Sequence, residues 1–116
     1  VIAHLVLFRP RSDLATSARA ALADALVAAL QDIPSIRRVR MGRRVMTGRP
    51  YESLMRVNYS HAAVLEFDDL DGLRAYFEHP VHEQLAARFF DAFEEALFYD
   101  YELEEGAAGI AAMAAP

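Results

Sequence analysis

The sequence predicts an α+β domain whose elements run βαββαβ, a ferredoxin-like split βαβ unit with a four-stranded antiparallel sheet. Three observations lead there. Short apolar runs bounded by turn residues recur at Ile2–Phe8, Tyr59–Phe67 and Phe98–Leu103, with an alternating run at Ile36–Met46. Stretches with helical spacing separate the first two and the last two of these four runs. The 116 residues, 54% hydrophobic and 25% charged, make one domain's worth of chain with enough apolar surface for a core.

Ile2–Phe8 reads as a buried central strand, ended by Arg9-Pro10-Arg11. Ser12 or Asp13 can cap the helix that follows, whose stripe of Leu22, Leu26, Ala29, Leu30 and Ile33 is stopped by Pro34. Ile36–Met46 alternates apolar residues with arginine as an edge strand does, and Gly42 suggests a bulge. Thr47–Asn58 is a polar loop, long enough to serve as a flap.

Tyr59–Phe67 is the third strand, and Asp68-Asp69 offers a cap for a short helix through Leu70, Leu73, Tyr76 and Phe77. Pro80 ends that helix, because the residue before proline is pushed out of the α region. It also suits the first position of the next helix, with His79 as the cap. The next helix carries His82, Leu85, Ala86, Phe89, Ala92, Phe93 and Ala96 on one face. Phe98–Leu103 is the last strand. Residues 1–104 therefore make the domain, and residues 105–116 make a Gly/Ala-rich tail without periodicity, loose or laid over a partner.

In this topology the first and third strands lie side by side, and helices cover one sheet face only. The other face is still rich in Val, Leu, Phe and Tyr, so a homodimer that packs sheet on sheet as an α/β barrel is expected.

Composition removes several function classes. There is no cysteine, which excludes disulfides, thiol catalysis and cysteine-held iron–sulfur clusters. No apolar run reaches the length of a membrane span, and the N-terminus does not read as a signal peptide, so a cytoplasmic protein without a membrane partner is expected. All twelve basic residues are arginine, ten of them in residues 1–65 against four acids, while residues 66–116 hold two against thirteen. Seven arginines fall between Arg37 and Arg56. The overall charge of −5 and the lack of interleaved aromatics argue against a nucleic-acid partner. A basic edge that meets an acidic half, in the same fold or across a dimer, is the expectation.

Three of the four histidines fall at inward positions: His4 in the first strand, His61 in the third and His82 on the apolar stripe of the last helix. Tyr76 shares the inward face of the short helix with Leu73. Buried imidazoles need hydrogen-bond partners, so a shared polar pocket is one reading and separately satisfied core residues the other. His79 and His82 are three apart, yet a capping His79 points away from the His82 face, and no metal site is expected.

The opening His4-Leu5-Val6-Leu7-Phe8, the Ile33-Pro34 pair and the run Tyr76-Phe77-Glu78-His79-Pro80-Val81-His82 resemble the Dabb family of stress-responsive dimeric α/β-barrel domains, over residues 2 to about 103. The pocket residues are similar to those of plant polyketide cyclases of the olivetolic acid cyclase type. That resemblance implies catalytic Tyr76 and His82, with His4 and His61 (in Tyr59-Ser60-His61) in the pocket wall. Leu5, Leu7, Leu73, Phe77, Phe89 and Phe93 would supply an apolar lining, and His79 and Pro80 the structural break. A neutral imidazole can take an acidic α-proton and a phenol can donate to the developing oxyanion, so no cofactor is needed. The expected function is a stress-responsive domain that dimerises and binds a small hydrophobic or polyketide-like ligand without turnover. A cofactor-free cyclase-like lyase is the alternative, and a haem- or metal-dependent oxygenase the second alternative.

Overall fold

The computed structural model describes residues 1–116. The chain runs β1 (Ile2–Pro10), α1 (Thr16–Asp32), β2 (Arg38–Arg43), a 3₁₀ turn (Pro50–Leu54), β3 (His61–Phe67), α2 (Leu70–Glu78), α3 (Pro80–Ala92), β4 (Phe93–Glu102) and α4 (Gly106–Ala114). One antiparallel sheet has the order β2-β3-β1-β4, so β1 and β3 hold the centre. The expected βαββαβ order is present, with α2 and α3 as the two halves of the broken second helix.

Strand periodicity divides the sheet into two chemically different faces. Ile2, His4, Val6 and Phe8 of β1 pair with Phe67, Leu65, Ala63 and His61 as Phe67↔Ile2, Leu65↔His4, Ala63↔Val6 and His61↔Phe8. These residues face the helices. Ala29 of α1 and Ile33 just after it, Leu73 and Tyr76 of α2, and Leu85 and Phe89 of α3 close the core over them. Ala3, Leu5 and Leu7 point the other way, level with Tyr101, Tyr99 and Leu97 of β4. None of the helices α1–α3 covers that face, which the loop with the 3₁₀ turn borders on the β2 side, and Leu7, Tyr99 and Tyr101 are exposed on it. The molecule is accordingly thin, 47 × 40 × 19 Å, one sheet and one helix layer.

Several local expectations are corrected. Helix α1 begins at Thr16 with Ala15 at its cap position and no side-chain cap. Asp13 instead pairs with Arg11 at 3.2 Å, because two residues apart in an extended turn the two side chains meet directly. Gly42 carries no bulge, since β2 pairs with β3 in unbroken register. The irregularity lies between Arg9 and Pro10, where proline has no N–H to give the ladder.

Strand β3 starts at His61, two residues later than expected. Strand β4 starts at Phe93, not Phe98, so Phe93 and Ala96 belong to the strand rather than to the last helix. Their spacing from Phe89 imitates a helix, but β1 is nine residues long and its pairing groups draw β4 out along its whole length. The polar loop holds the 3₁₀ turn, where the Glu52 carboxylate accepts from the Thr47 and Gly48 N–H groups at 2.8 and 2.7 Å. Gly48 takes φ +82, which only glycine adopts freely. The tail is helical over Gly106–Ala114 because alanine dominates it. Lacking a periodic apolar stripe, it buries no residue.

The caps make a stability test. Asp69 accepts from Gly72 N–H at 2.8 Å and caps α2, whereas Ala15 offers α1 nothing. We predict that Ala15→Ser stabilises the fold by about 1 kcal/mol, and that Asp69→Ala destabilises it by about 1 kcal/mol. Asp13→Ala should stay within about 0.5 kcal/mol of the parent, since its pair is exposed. Urea melts of the three variants check this, and a large loss in Asp13→Ala would restore the cap to that residue.

Candidate functional site

Between the sheet and the helices lies a cavity of about 370 Å³. Of the 19 residues lining it, 16 are hydrophobic and the other three are His4, His82 and Asp100. Tyr76 adds the one hydroxyl. This is the balance expected of a small-molecule site, where apolar walls hold the ligand and a few polar groups orient it.

Three elements deliver those polar groups. Alternation along β1 sends His4 to the helix side, where it is 6% exposed. On β4, Asp100 lies directly opposite His4, and its Oδ1 sits 2.6 Å from His4 Nδ1. A carboxylate only accepts, so the proton of this hydrogen bond belongs to Nδ1. In the neutral ring Nε2 then keeps its lone pair, with tautomer and orientation fixed by Asp100.

Tyr76 and His82 come from the two sides of the helix break. Pro80 holds the first position of α3, and His79 before it is extended (φ −70, ψ 136). His79 Nδ1 accepts from Val81 N–H at 3.1 Å, which caps α3. Tyr76 in the last turn of α2 and His82 in the first turn of α3 thereby meet edge to face, ring centroids 4.6 Å apart. Phe77 packs on both histidines, 5.5 Å from His4 and 5.4 Å from His82.

Burial sets the protonation states. It pushes the Tyr76 phenol up to about 12, with the Asp100 charge adding to the effect. The phenol therefore keeps its proton at neutral pH and can offer it as a hydrogen-bond donor. Burial also holds the His82 imidazole below its ordinary value, and the charge of a protonated His4 lowers it further. The Phe77 carbonyl and Glu83 oppose this in part. His82 is thus neutral at pH 7 and available as a base or acceptor.

The remaining candidates separate. His4, Tyr76, Phe77, His82 and Phe89 line the cavity, but His61, Leu5, Leu7, Leu73 and Phe93 do not. Leu5 and Leu7 are corrected by strand alternation, which turns each side chain to the opposite face from its neighbours, so they lie on the open face. Leu73 is core beneath α2, 3% exposed, and Phe93 packs on Phe8 and Phe89 at 4.5 and 4.1 Å. His61 stacks on Phe8 at 5.4 Å and meets Ser60 Oγ at 2.9 Å, one end of the sheet away from His4. The four histidines therefore do not converge, and no three His, Cys, Asp or Glu side chains gather where one metal ion could be held.

Asp100 is the site residue that sequence reasoning missed. Its signal was available: it is in phase with Ala96 and Phe98, an acid at an inward position of an otherwise apolar strand face.

The fold has parallels among known proteins. The model of the stress responsive A/B barrel domain, Dabb, matches residues 2–103. The chain belongs to the Dabb family. Among solved structures, the Passiflora edulis hydroxynitrile lyase superposes with a TM-score of 0.76 at 19% identity, over 90% of this chain and 94% of that one. An Arabidopsis thaliana protein gives 0.75 at 17% identity, over 92% and 99%. A dimeric ferredoxin-like protein of unknown function from Thermobifida fusca gives 0.67 at 25% identity, over 88% and 90%. A search of curated proteins finds no match. No helix of this Dabb domain is long and apolar enough to cross a membrane.

The lowered imidazole pKa values predict a pH dependence of stability. Unfolded, His82 protonates near its ordinary value of about 6.5; folded, it does so lower. Between those two values the unfolded chain binds more protons, so stability is full above about pH 6.5 and is lost as pH falls through the folded value. His61, lowered by burial and by Arg43 and Arg19, acts in the same direction. Thermal melts at pH 7.5 and 5.5 should show a lower midpoint in acid, and His82→Gln should shrink that difference. An equal drop in both proteins would show that His82 does not contribute.

Proposed function

We infer that this Dabb domain works as a homodimer that binds a small, largely apolar carbonyl compound and moves protons on it without a cofactor, as a lyase or cyclase does. The observation that carries this reading is the Asp100–His4 hydrogen bond at the wall of an otherwise apolar cavity, beside the Tyr76–His82 pair. A carboxylate that fixes the tautomer of an inward imidazole prepares the ring to act as a base. A cavity meant only for apolar binding needs no such pair, and burying polar groups there is costly.

The chemistry follows from the groups present. The Nε2 lone pair of His4 takes an acidic α-proton from the bound carbonyl compound, forming an imidazolium that Asp100 stabilises. The electron pair of the C–H bond moves into an enolate whose oxygen accepts a hydrogen bond from Tyr76. His82, neutral and in ring contact with Tyr76, orients the phenol, and the proton held on the His4 imidazolium is the one returned to the enolate. The apolar walls exclude water, which strengthens each of these interactions. That the Passiflora edulis structure of this fold is a hydroxynitrile lyase is consistent with proton-transfer chemistry on such a scaffold. The dimer is supported by the dimeric Thermobifida fusca relative and by the uncovered apolar sheet face.

The test is exchange of the α-protons of a hydrophobic β-diketone in deuterated buffer, followed by NMR. The parent should accelerate exchange over buffer. Tyr76→Phe and His82→Gln should each slow it by roughly 10²–10³-fold, and Asp100→Asn by a comparable factor, with folding preserved. Because the groups act as a unit, the double variant should lose little more than a single one. Saturable binding of the diketone with no acceleration in the parent would leave a binding domain without turnover and overturn the catalytic reading.

A further inference from the structure

The helix layer stops short of one edge of the sheet. Phe98, Asp100 and Glu102 of β4 point to the helix side, level with Val6, His4 and Ile2 of β1. Those three β1 residues are buried, whereas the three on β4 are exposed, the Asp100 side chain by 43%. Phe77 of α2 and Phe90 of α3 flank the same gap and are exposed too. Phe90, 72% exposed, meets Phe98 with ring centroids 6.2 Å apart. Phe77, Phe90, Phe98 and Asp100 all line the cavity, which therefore opens to solvent along β4 through an aromatic mouth. Contiguous exposed apolar surface of this kind marks a place of contact.

The chain itself supplies a segment to cover that mouth. Helix α4 follows β4 after three residues and lies beyond residues 2–103, which match the Dabb domain. It holds no charged side chain and buries none of its residues. Its two large side chains, Ile110 and Met113, are three apart and share a face, and both are exposed. Gly106 at its start takes φ +44 with open space around it, so the connection has room to turn. We propose that α4 folds back over the helix side of β4 and closes the cavity as a lid, with Ile110 over Asp100 and Met113 against Phe98 and Phe90. The lid rests on the reading of the cavity as a ligand site and adds what governs access to it.

The lengths agree. The nine residues of α4 span about 14 Å, and the path from Glu102 back to Phe98 covers about the same. Ile110 comes about 6 Å from the start of α4, and Asp100 lies about 7 Å from Glu102. Met113 comes about 10 Å along, between Asp100 and Phe98. The first turn of α4 then lies beside Glu102, whose carboxylate faces N–H groups that no side chain caps. Because α4 is already helical, closing it fixes one hinge rather than nine residues. What closure changes is water. With the mouth open, solvent at Asp100 screens its hold on the His4 imidazolium; with Ile110 over it, that water is gone and the interaction strengthens. A ligand that fills the cavity adds apolar surface beneath the lid and so favours the closed form.

The chain has no cysteine, so a disulfide can report the closed position. Phe90→Cys and Met113→Cys are introduced singly and together into the full chain, oxidised without ligand and run on non-reducing gels. The expected result is loss of both thiols in the double variant, with the chain still at monomer mass. Arg88 lies about 200° round α3 from Phe90, so Arg88→Cys with Met113→Cys should bond at least about tenfold more slowly. Equal rates for the two pairs would describe a loose tail, and thiols that stay free would leave α4 away from the mouth; either overturns the lid. So would a disulfide-linked dimer formed only by the double variant, which would send α4 to a partner subunit. Ligand exchange is the second readout. Release of a hydrophobic β-diketone, followed by NMR, should slow at least about tenfold in the oxidised double variant relative to the same protein reduced, and equal rates count against the lid. Ile110→Glu should weaken diketone binding about tenfold with the melting temperature unchanged, and unchanged affinity likewise counts against it. A parent that binds no diketone would instead defeat the ligand reading of the cavity, while the trapping result still decides where α4 sits.

Discussion

Everything in this molecule is hung on β1. It is a central strand, paired over Ile2–Phe8 with β3 on one side and over Ile2–Pro10 with β4 on the other. Because its period is two, each residue is committed to one of two faces with different solvents. Ile2, His4, Val6 and Phe8 go to the helices, and Leu5 and Leu7 to the open face. A one-residue slip of this strand would exchange the cavity face for the open face. The pairing through Phe93 on one side and through Phe67 on the other is what holds that register.

The cavity depends on that commitment and on a second constraint, the break at Pro80. A continuous helix through residues 70–92 would run straight past the sheet. Proline forces His79 out of the α region, and the N–H of Val81 finds the His79 ring instead of a backbone carbonyl. The chain changes direction over one residue, so the last turn of α2 and the first turn of α3 present side chains to the same point. Tyr76 and His82 meet there, over His4 and Asp100 on the sheet. Local backbone chemistry thus assembles a pair of titratable groups, while burial drives the phenol and the imidazole to the neutral forms that acid–base chemistry uses.

Much of this was legible in the sequence: the element order, the central position of the first and third strands, the helix break, and the inward direction of His4, Tyr76 and His82. Each of these rests on short-range rules, namely the periods of strand and helix and the geometry of proline. Errors fell where those rules compete with long-range pairing. Phe93 and Ala96 fit a helical stripe spaced from Phe89, but β1 needed a partner as long as itself, and the strand took them. His61 is inward by alternation, as read, yet inward at the far end of the strand, beside Phe8 rather than His4.

The sequence by itself determined which residues could form a core, where each helix must stop and which side chains could carry protons, because those properties belong to single residues and their neighbours in the chain. Only the tertiary structure decided the company they keep. Asp100 and His4 are ninety-six residues apart, and nothing local to either announces the 2.6 Å bond between them. Leu5 sits beside His4 in the chain and on the opposite side of the sheet in space. Strand pairing, a property of two distant segments and their register, makes the first a partner and the second a stranger.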